Sequence, residues 1–190
     1  MYRGWSGVSD FVDSVAAKQE ICSTLDDSER MDLVGVETPT KLLNVEGSLD
    51  DYTCRWATKD TTATIFVQAV SAPADEWLDE IRAAATPQAL GGGDPKRARQ
   101  LLKALSEPVS TPEDGCRVAR LVFAMSGVSD KAERIVRPST SSNGTPAMMA
   151  QSCVEGTYSA VMVTAPGLEL GRPLARKTAQ ALRTVEGRIA

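Results

Sequence analysis

Four cysteines, Cys22, Cys54, Cys116 and Cys153, constrain this chain of 190 residues more than any other feature. They fall two to a half, with 31 residues between the members of the first pair and 36 between those of the second. No C-x-x-C occurs. Metal sites usually draw two ligands from one tight turn, and redox pairs need adjacent thiols, so both chemistries are disfavoured. An even count at matched wide intervals points instead to two disulfides. Of the pairings four cysteines allow, Cys22–Cys54 with Cys116–Cys153 is preferred, because each bridge then stays inside one half. Such bridges persist in an oxidising compartment, so the expected location is extracellular or at a cell envelope. The alternative is four buried free thiols in an intracellular protein, since unpaired cysteine is itself a well-buried residue type.

With 42% apolar residues the chain can bury one ordinary core. No run approaches the ~20 apolar residues of a membrane span, and the opening MYRGWSGVSD has no apolar stretch of a secretory signal. The chain therefore reads as soluble, with membrane contact only through an anchor absent from it. Histidine is missing altogether, which removes Ser-His-Asp and Cys-His nucleophile activation and most zinc sites. The net charge of −4 divides into −9 over residues 1–90 and +5 over residues 91–190. This asymmetry reads as two solvated faces, with attraction between the halves or a dipolar surface presented to a partner as the alternatives. Nucleic acid is not expected as a partner, because no dominant basic excess exists to neutralise phosphates.

Apolar periodicity predicts a first helix over 9–20 and a second over 26–35, the latter with Asp26 as N-cap, Glu29 as capping-box partner and Gly35 as terminator. KLLNV at 41–45, YTCRW at 52–56 and the β-branched TATIFVQAV at 62–70 read as strands, with TKDT as a hairpin turn. A helix follows Pro73, with Trp77, Leu78 and Ile81 on one face. ATPQALGGGDP breaks the pattern. After it, Asp94 and Pro95 open a helix with Leu101, Leu102 and Leu105 as its stripe. CRVARLVFAM at 116–125 reads as a strand, VSDKAERI as a turn and short element, PSTSSNGTP at 138–146 as an exposed loop, and YSAVMVTAP at 158–166 as a further strand. RPLARKTAQALRTV at 172–185 closes as a helix with Leu174, Thr178, Ala181, Leu182 and Val185 in line. Each half places a strand ending in Ala-Pro before an amphipathic helix. The fold class expected is α+β: a mostly antiparallel sheet flanked by helices, one compact domain of two similar halves, stabilised by two disulfides. Residues 1–19 form the N-terminal segment and first helix. Residues 20–190 form the domain, with halves 20–90 and 91–190 and a linker near 86–95.

Three short stretches resemble a known family. ICSTLDDSERMDLVG supplies Cys22, Leu25 and Gly35; Cys54-Arg55-Trp56 places a cysteine just before a tryptophan; and Gly127-Val128-Ser129-Asp130-Lys131-Ala132 approximates a Gly-x-Gly-Asp-x-Ala turn. Together they resemble the actinobacterial secreted and lipoprotein domains catalogued as DUF3558, whose fold is related to the Mog1/PsbP-like α/β class. Ser129 stands where the family has glycine, and Cys116 with Cys153 looks like an extra pair. The resemblance implies export and an envelope location, and it carries no established reaction. A fainter one is to two-disulfide extracellular sensor domains of actinobacterial receptor kinases.

GGGDPKR at 91–97 lacks the spacing of a phosphate loop and reads as a linker. Asp75, Glu76, Asp79 and Glu80 spread over more than one helix face and read as solvated. Asp26, Asp27, Asp50 and Asp51 would be drawn together by a Cys22–Cys54 bridge. With Ser129 and Asp130 they form the expected binding surface, with capping and turn roles as the competing account. Asn143-Gly144-Thr145 fits a glycosylation sequon and marks an exposed tip. No catalytic residue, metal ligand or cofactor is assigned. The expected function is a non-enzymatic exported envelope domain binding a protein or small ligand. The alternatives are the extracellular sensor domain of a membrane receptor or kinase, and an intracellular enzyme with buried thiols and carboxylate chemistry.

Overall fold

The computed structural model of the chain describes residues 20–35, 40–43, 52–58, 66–84, 95–141 and 144–189. Residues 20–23 are helical and lead through Asp26 into α1 (Asp27–Val34). The Asp26 side chain accepts from the Glu29 amide at 2.8 Å, and Glu29 accepts from the Asp26 amide at 2.9 Å. Gly35, at φ 68°, ends the helix in the left-handed region that glycine enters most easily. Three antiparallel strands follow, β1 (Thr40–Leu43), β2 (Thr53–Thr58) and β3 (Phe66–Pro73), then α2 (Ala74–Ala84). The second half runs α3 (Pro95–Ser106), α4 (Pro112–Ala124), β4 (Arg134–Thr140), β5 (Pro146–Val154), β6 (Thr157–Thr164) and α5 (Arg172–Ile189). One six-stranded antiparallel sheet results, in the order β1-β2-β3-β6-β5-β4, with the halves joined by the β3–β6 pair.

The alternation of side chains along each strand divides the core in two. On one face Cys54, Trp56, Val67, Ala69, Ala150, Val161 and Val163 pack against Leu25, Leu33 and the α5 stripe of Ala181, Leu182 and Val185. On the other, Val70, Ile135, Cys153, Tyr158 and Ala160 pack against α2, α3 and α4. The architecture is thus a sheet between two helical layers, and each layer is stapled to it by one bridge. Cys22–Cys54 ties the segment before α1 to β2; Cys116–Cys153 ties α4 to β5; the Cα atoms are 5.1 Å apart in both. Trp56 lies on the same strand face as Cys54, as its period of two required, with the Arg30 guanidinium 4.8 Å above its ring. The charge asymmetry is partly spent between the halves. Lys177 on α5 meets Asp32 at 2.6 Å and Arg188 meets Glu29 at 3.2 Å.

The two halves share an order of elements, helical segment, three antiparallel strands, helix, but they are of opposite hand. A half-turn about an axis through the β3–β6 pair would carry α2 onto α5 on the same face. The helices occupy opposite faces, so no rotation relates the halves.

Several expectations change. Residues 116–125 are not a strand but most of α4. The run VARLVFAM is rich in β-branched and aromatic residues, yet its buried positions, Cys116, Ala119 and Phe123 with Gly115 and Val118, recur at helical spacing. The Thr111 side chain accepts from the Asp114 amide and Pro112 occupies the first turn, so the start signal lies upstream of the apolar run. The loop expected over 138–146 is shorter, because β4 extends to Thr140 and β5 begins at Pro146. Strand β5, in the middle of the second half, has no counterpart in the sequence reading. The third strand runs to Pro73. In α3, Leu102 is 37% exposed and Ala104 takes its place inward. The first helix over 9–19, the TKDT turn after Thr58, the linker residues 86–94 and the Asp94 cap lie outside the described residues.

Gly115 marks where α4 approaches the start of α2 most closely. A Cβ there would lie 2.7 Å from the Ala74 carbonyl carbon and 2.8 Å from its Cβ. Because the obstacle is backbone, Gly115→Ala is expected to cost about 2 kcal/mol despite the better helix propensity of alanine. Urea unfolding checks this; an unchanged midpoint would show that the helices separate freely.

Candidate functional site

The register of β3, β6, β5 and β4 aligns four residues in one row across the sheet. Ser71 pairs with Ser159, Ser159 with Ser152, and Ser152 with Arg134. All four share the face covered by α5. The three serines are buried, at 5%, 3% and 1% exposure, yet they are engaged little by their neighbours: the Ser71 and Ser159 hydroxyls stand 3.4 Å apart. Hydroxyls held this way keep both donor and acceptor capacity for a third party.

Beside this row, toward the C-terminal end of α5, lies a cleft of about 580 Å³, lined by the three serines, Arg134, Arg183, Glu186 and Gly187, with Val154, Glu155 and Thr157 at one end. The size falls within the ~300–1,000 Å³ of small-molecule pockets. Arg134 reaches from the edge strand to Glu186 through two bonds, Nε to Oε1 at 3.1 Å and Nη2 to Oε2 at 3.2 Å, forming a bidentate clamp that fixes the wall. Arg183, one turn earlier on α5, donates to Gln180 Oε1 at 2.8 Å. Gly187 is a helical residue whose Cβ would meet nothing within 4 Å. Packing does not demand a glycine there, and its missing side chain leaves the roof open.

Glu155 sits in the tight β5–β6 turn with φ 49°, the only non-glycine residue of positive φ among the described residues, followed by Gly156 at φ 81°. Two successive positive φ values are the signature of a type I′ hairpin, a place for Asn-Gly or Asp-Gly. The turn is anchored from behind: Ala74 donates to the Gly156 carbonyl at 2.8 Å, and a Cβ on Gly156 would meet Pro112 at 2.7 Å.

The residues expected to form a binding surface are not brought together. Asp26 and Asp27 cap α1 and pair with its own Glu29 amide and Arg30 side chain. Ser129 and Asp130 follow α4, in the opposite layer, beside a smaller cavity of about 240 Å³ that also meets Arg97 and Gln100. There Arg97 donates to the Ala124 carbonyl at 2.6 Å and Ser129 Oγ accepts from the Lys131 amide at 3.2 Å, which are bonds that close a helix end. Asp50 and Asp51 lie outside the described residues. The serine row carried a faint signal, a hydroxyl inside the apolar runs QAVSAP, QSCV and YSAV. Its alignment needs the register of β5, which the sequence did not announce.

Among the described residues no three His, Cys, Asp or Glu side chains are grouped to hold a metal ion, and no helix is long and apolar enough to cross a membrane. No family model, curated protein or solved structure matches the chain.

Proposed function

We propose that this protein is a non-enzymatic exported domain of the cell envelope, of the DUF3558-like kind, that binds a small polar ligand in the cleft between α5 and the sheet. The observation that carries the binding reading is the row Ser71, Ser159, Ser152: buried hydroxyls with unspent hydrogen-bonding capacity, walled by a fixed Arg134–Glu186 pair and roofed by a helix that carries glycine at the opening. The two disulfides favour the export reading, since such bridges persist in oxidising surroundings.

The binding reading is tested by amide spectra of the full chain titrated with a library of small polyols, amino acids, carboxylates and amines. Shifts are expected to concentrate on Ser71, Ser152, Ser159, Arg134 and Gly187. Gly187→Leu fills the opening while improving helix propensity by roughly 0.8–1 kcal/mol, so it is expected to abolish the shifts with the thermal midpoint held or raised. Shifts confined to other surfaces, or none from any library member, would sink it. The export reading fails if fractionated source cells yield the protein in the cytosol with four free thiols.

A further inference from the structure

The charges around the cleft sum to zero but are not all paired, and the unpaired ones name a ligand. Arg134 and Glu186 satisfy each other through their bidentate bond and behave as one neutral wall. Two charged residues remain. Arg183 has a neutral partner, Gln180, and no carboxylate partner among the described residues. Glu155 has neither a cation nor a hydrogen-bond donor among them. One unmatched cation and one unmatched anion therefore line the same pocket, which the three serines line as well.

Glu155 is also held against conformational preference. A β-carbon at φ 49° costs roughly 1–2 kcal/mol, and asparagine, aspartate or glycine fills such a turn position at less cost. Strain retained at the rim of a cleft points to use of the side chain.

From these features we infer that the ligand is zwitterionic, a short peptide with free ends: its carboxylate meets Arg183, its ammonium meets Glu155, and its amides bond to Ser71, Ser152 and Ser159. Serine hydroxyls both donate and accept, as a peptide unit requires, and guanidinium matches carboxylate in geometry. A ligand of one sign alone would satisfy one rim charge and meet repulsion from the other. This inference rests on the cleft being a binding site, and the experiment separates the two.

Calorimetry and amide spectra of the full chain are recorded with trialanine, with N-acetyl-trialanine amide, which lacks both end charges, and with sorbitol. Trialanine is expected to bind in the cleft, and the blocked peptide to bind at least about tenfold more weakly, as loss of charge-assisted bonds implies. Arg183→Gln and Glu155→Gln are each expected to weaken trialanine about tenfold or more and to leave the blocked peptide unchanged. Glu155→Asn suits the turn better, so it is expected to raise the thermal midpoint while weakening trialanine, a split that a purely structural role would not produce. Equal binding of both peptides, or cleft shifts with sorbitol and none with trialanine, overturns the zwitterion and leaves the cleft as a site for neutral ligands. Silence of the cleft toward all three overturns the zwitterion as well, and the wider library then decides whether the cleft binds anything.

Discussion

Replacing Cys116 and Cys153 together by alanine is expected to lower the stability of the folded state by about 4 kcal/mol. The bridge closes a sequence separation of 37 and joins α4 to the central strand of the second half. Opening it restores the chain entropy of that loop to the unfolded ensemble. Both half-cystines are buried between α4 and β5, so deleting their sulfurs also leaves a small cavity that adds to the loss. The Cys22–Cys54 bridge closes a separation of 32 on the other face and is expected to contribute a similar amount. Because the loops do not overlap and the faces differ, the two losses should add. Their sum, roughly 8 kcal/mol, rivals the ~5–15 kcal/mol that stabilises a typical domain, so fully reduced protein is expected to be largely unfolded. Urea titration of each double-alanine variant, and of the reduced parent, checks this. An unshifted midpoint in either variant would show that the bridge constrains nothing the packing does not already hold.

The second large effect is alkaline. Tyr158 is buried beneath Trp77, with ring centroids 3.9 Å apart and planes 14° from parallel. Burial pushes its phenol from the ordinary 10.0 up to about 12, opposed in part by the bond from Gln151 Nε2 at 2.8 Å. The unfolded chain then releases the Tyr158 proton from about pH 10 while the folded chain keeps it, so the unfolded state gains the advantage as pH rises. Stability from this group is complete below about pH 10 and is expected to fall by about 1.4 kcal/mol per pH unit toward pH 12, close to 3 kcal/mol in all. Tyr158→Phe is expected to flatten that slope. It also leaves the Gln151 amide without its partner, at a constant cost of about 1–3 kcal/mol. Unfolding curves between pH 8 and about 11.5 distinguish the pair; parallel slopes in parent and variant would place the ionisation elsewhere.

How much of this was legible in the sequence depended on how local the cause was. Asp26, Glu29 and Gly35 define α1 within ten residues, and their side chains satisfy orphan backbone groups whatever surrounds them. The α5 stripe from Leu174 to Val185 is likewise a property of spacing alone, and all five residues are buried. Residues 116–125 show the limit of such reading. Composition favoured a strand, while the deciding signals were the Thr111 cap and the helical recurrence of small residues that a neighbouring helix could approach. Strand β5 was missed for a related reason. Pro146 at its start and polar Gln151 and Ser152 within it break the apolar run, although both polar residues are buried.

The candidate site was less legible still. The acidic residues stood out because charge is visible in a sequence, but Asp26 and Asp27 proved to be spent on their own helix. The serines did not stand out, since each is one small polar residue in a strand, and only antiparallel register sets Ser71, Ser159 and Ser152 side by side beneath α5. Glu155 gave no warning either: Glu-Gly becomes unusual only once the turn is known to need positive φ at both positions.

The sequence by itself determined the helix ends that cap themselves and the faces of the strands it announced, because each follows from chemistry within a few residues; counting cysteines favoured two bridges, and the structure settled which cysteines pair. The tertiary structure alone decided that the second half lies across the sheet in the opposite hand, that α4 is a helix pressed against α2, and that three scattered serines share one row under a glycine-opened roof. Those outcomes depend on register and on which face a helix covers. Both are settled by packing between segments distant in the chain, where a shift of one residue exchanges every inward side chain for an outward one.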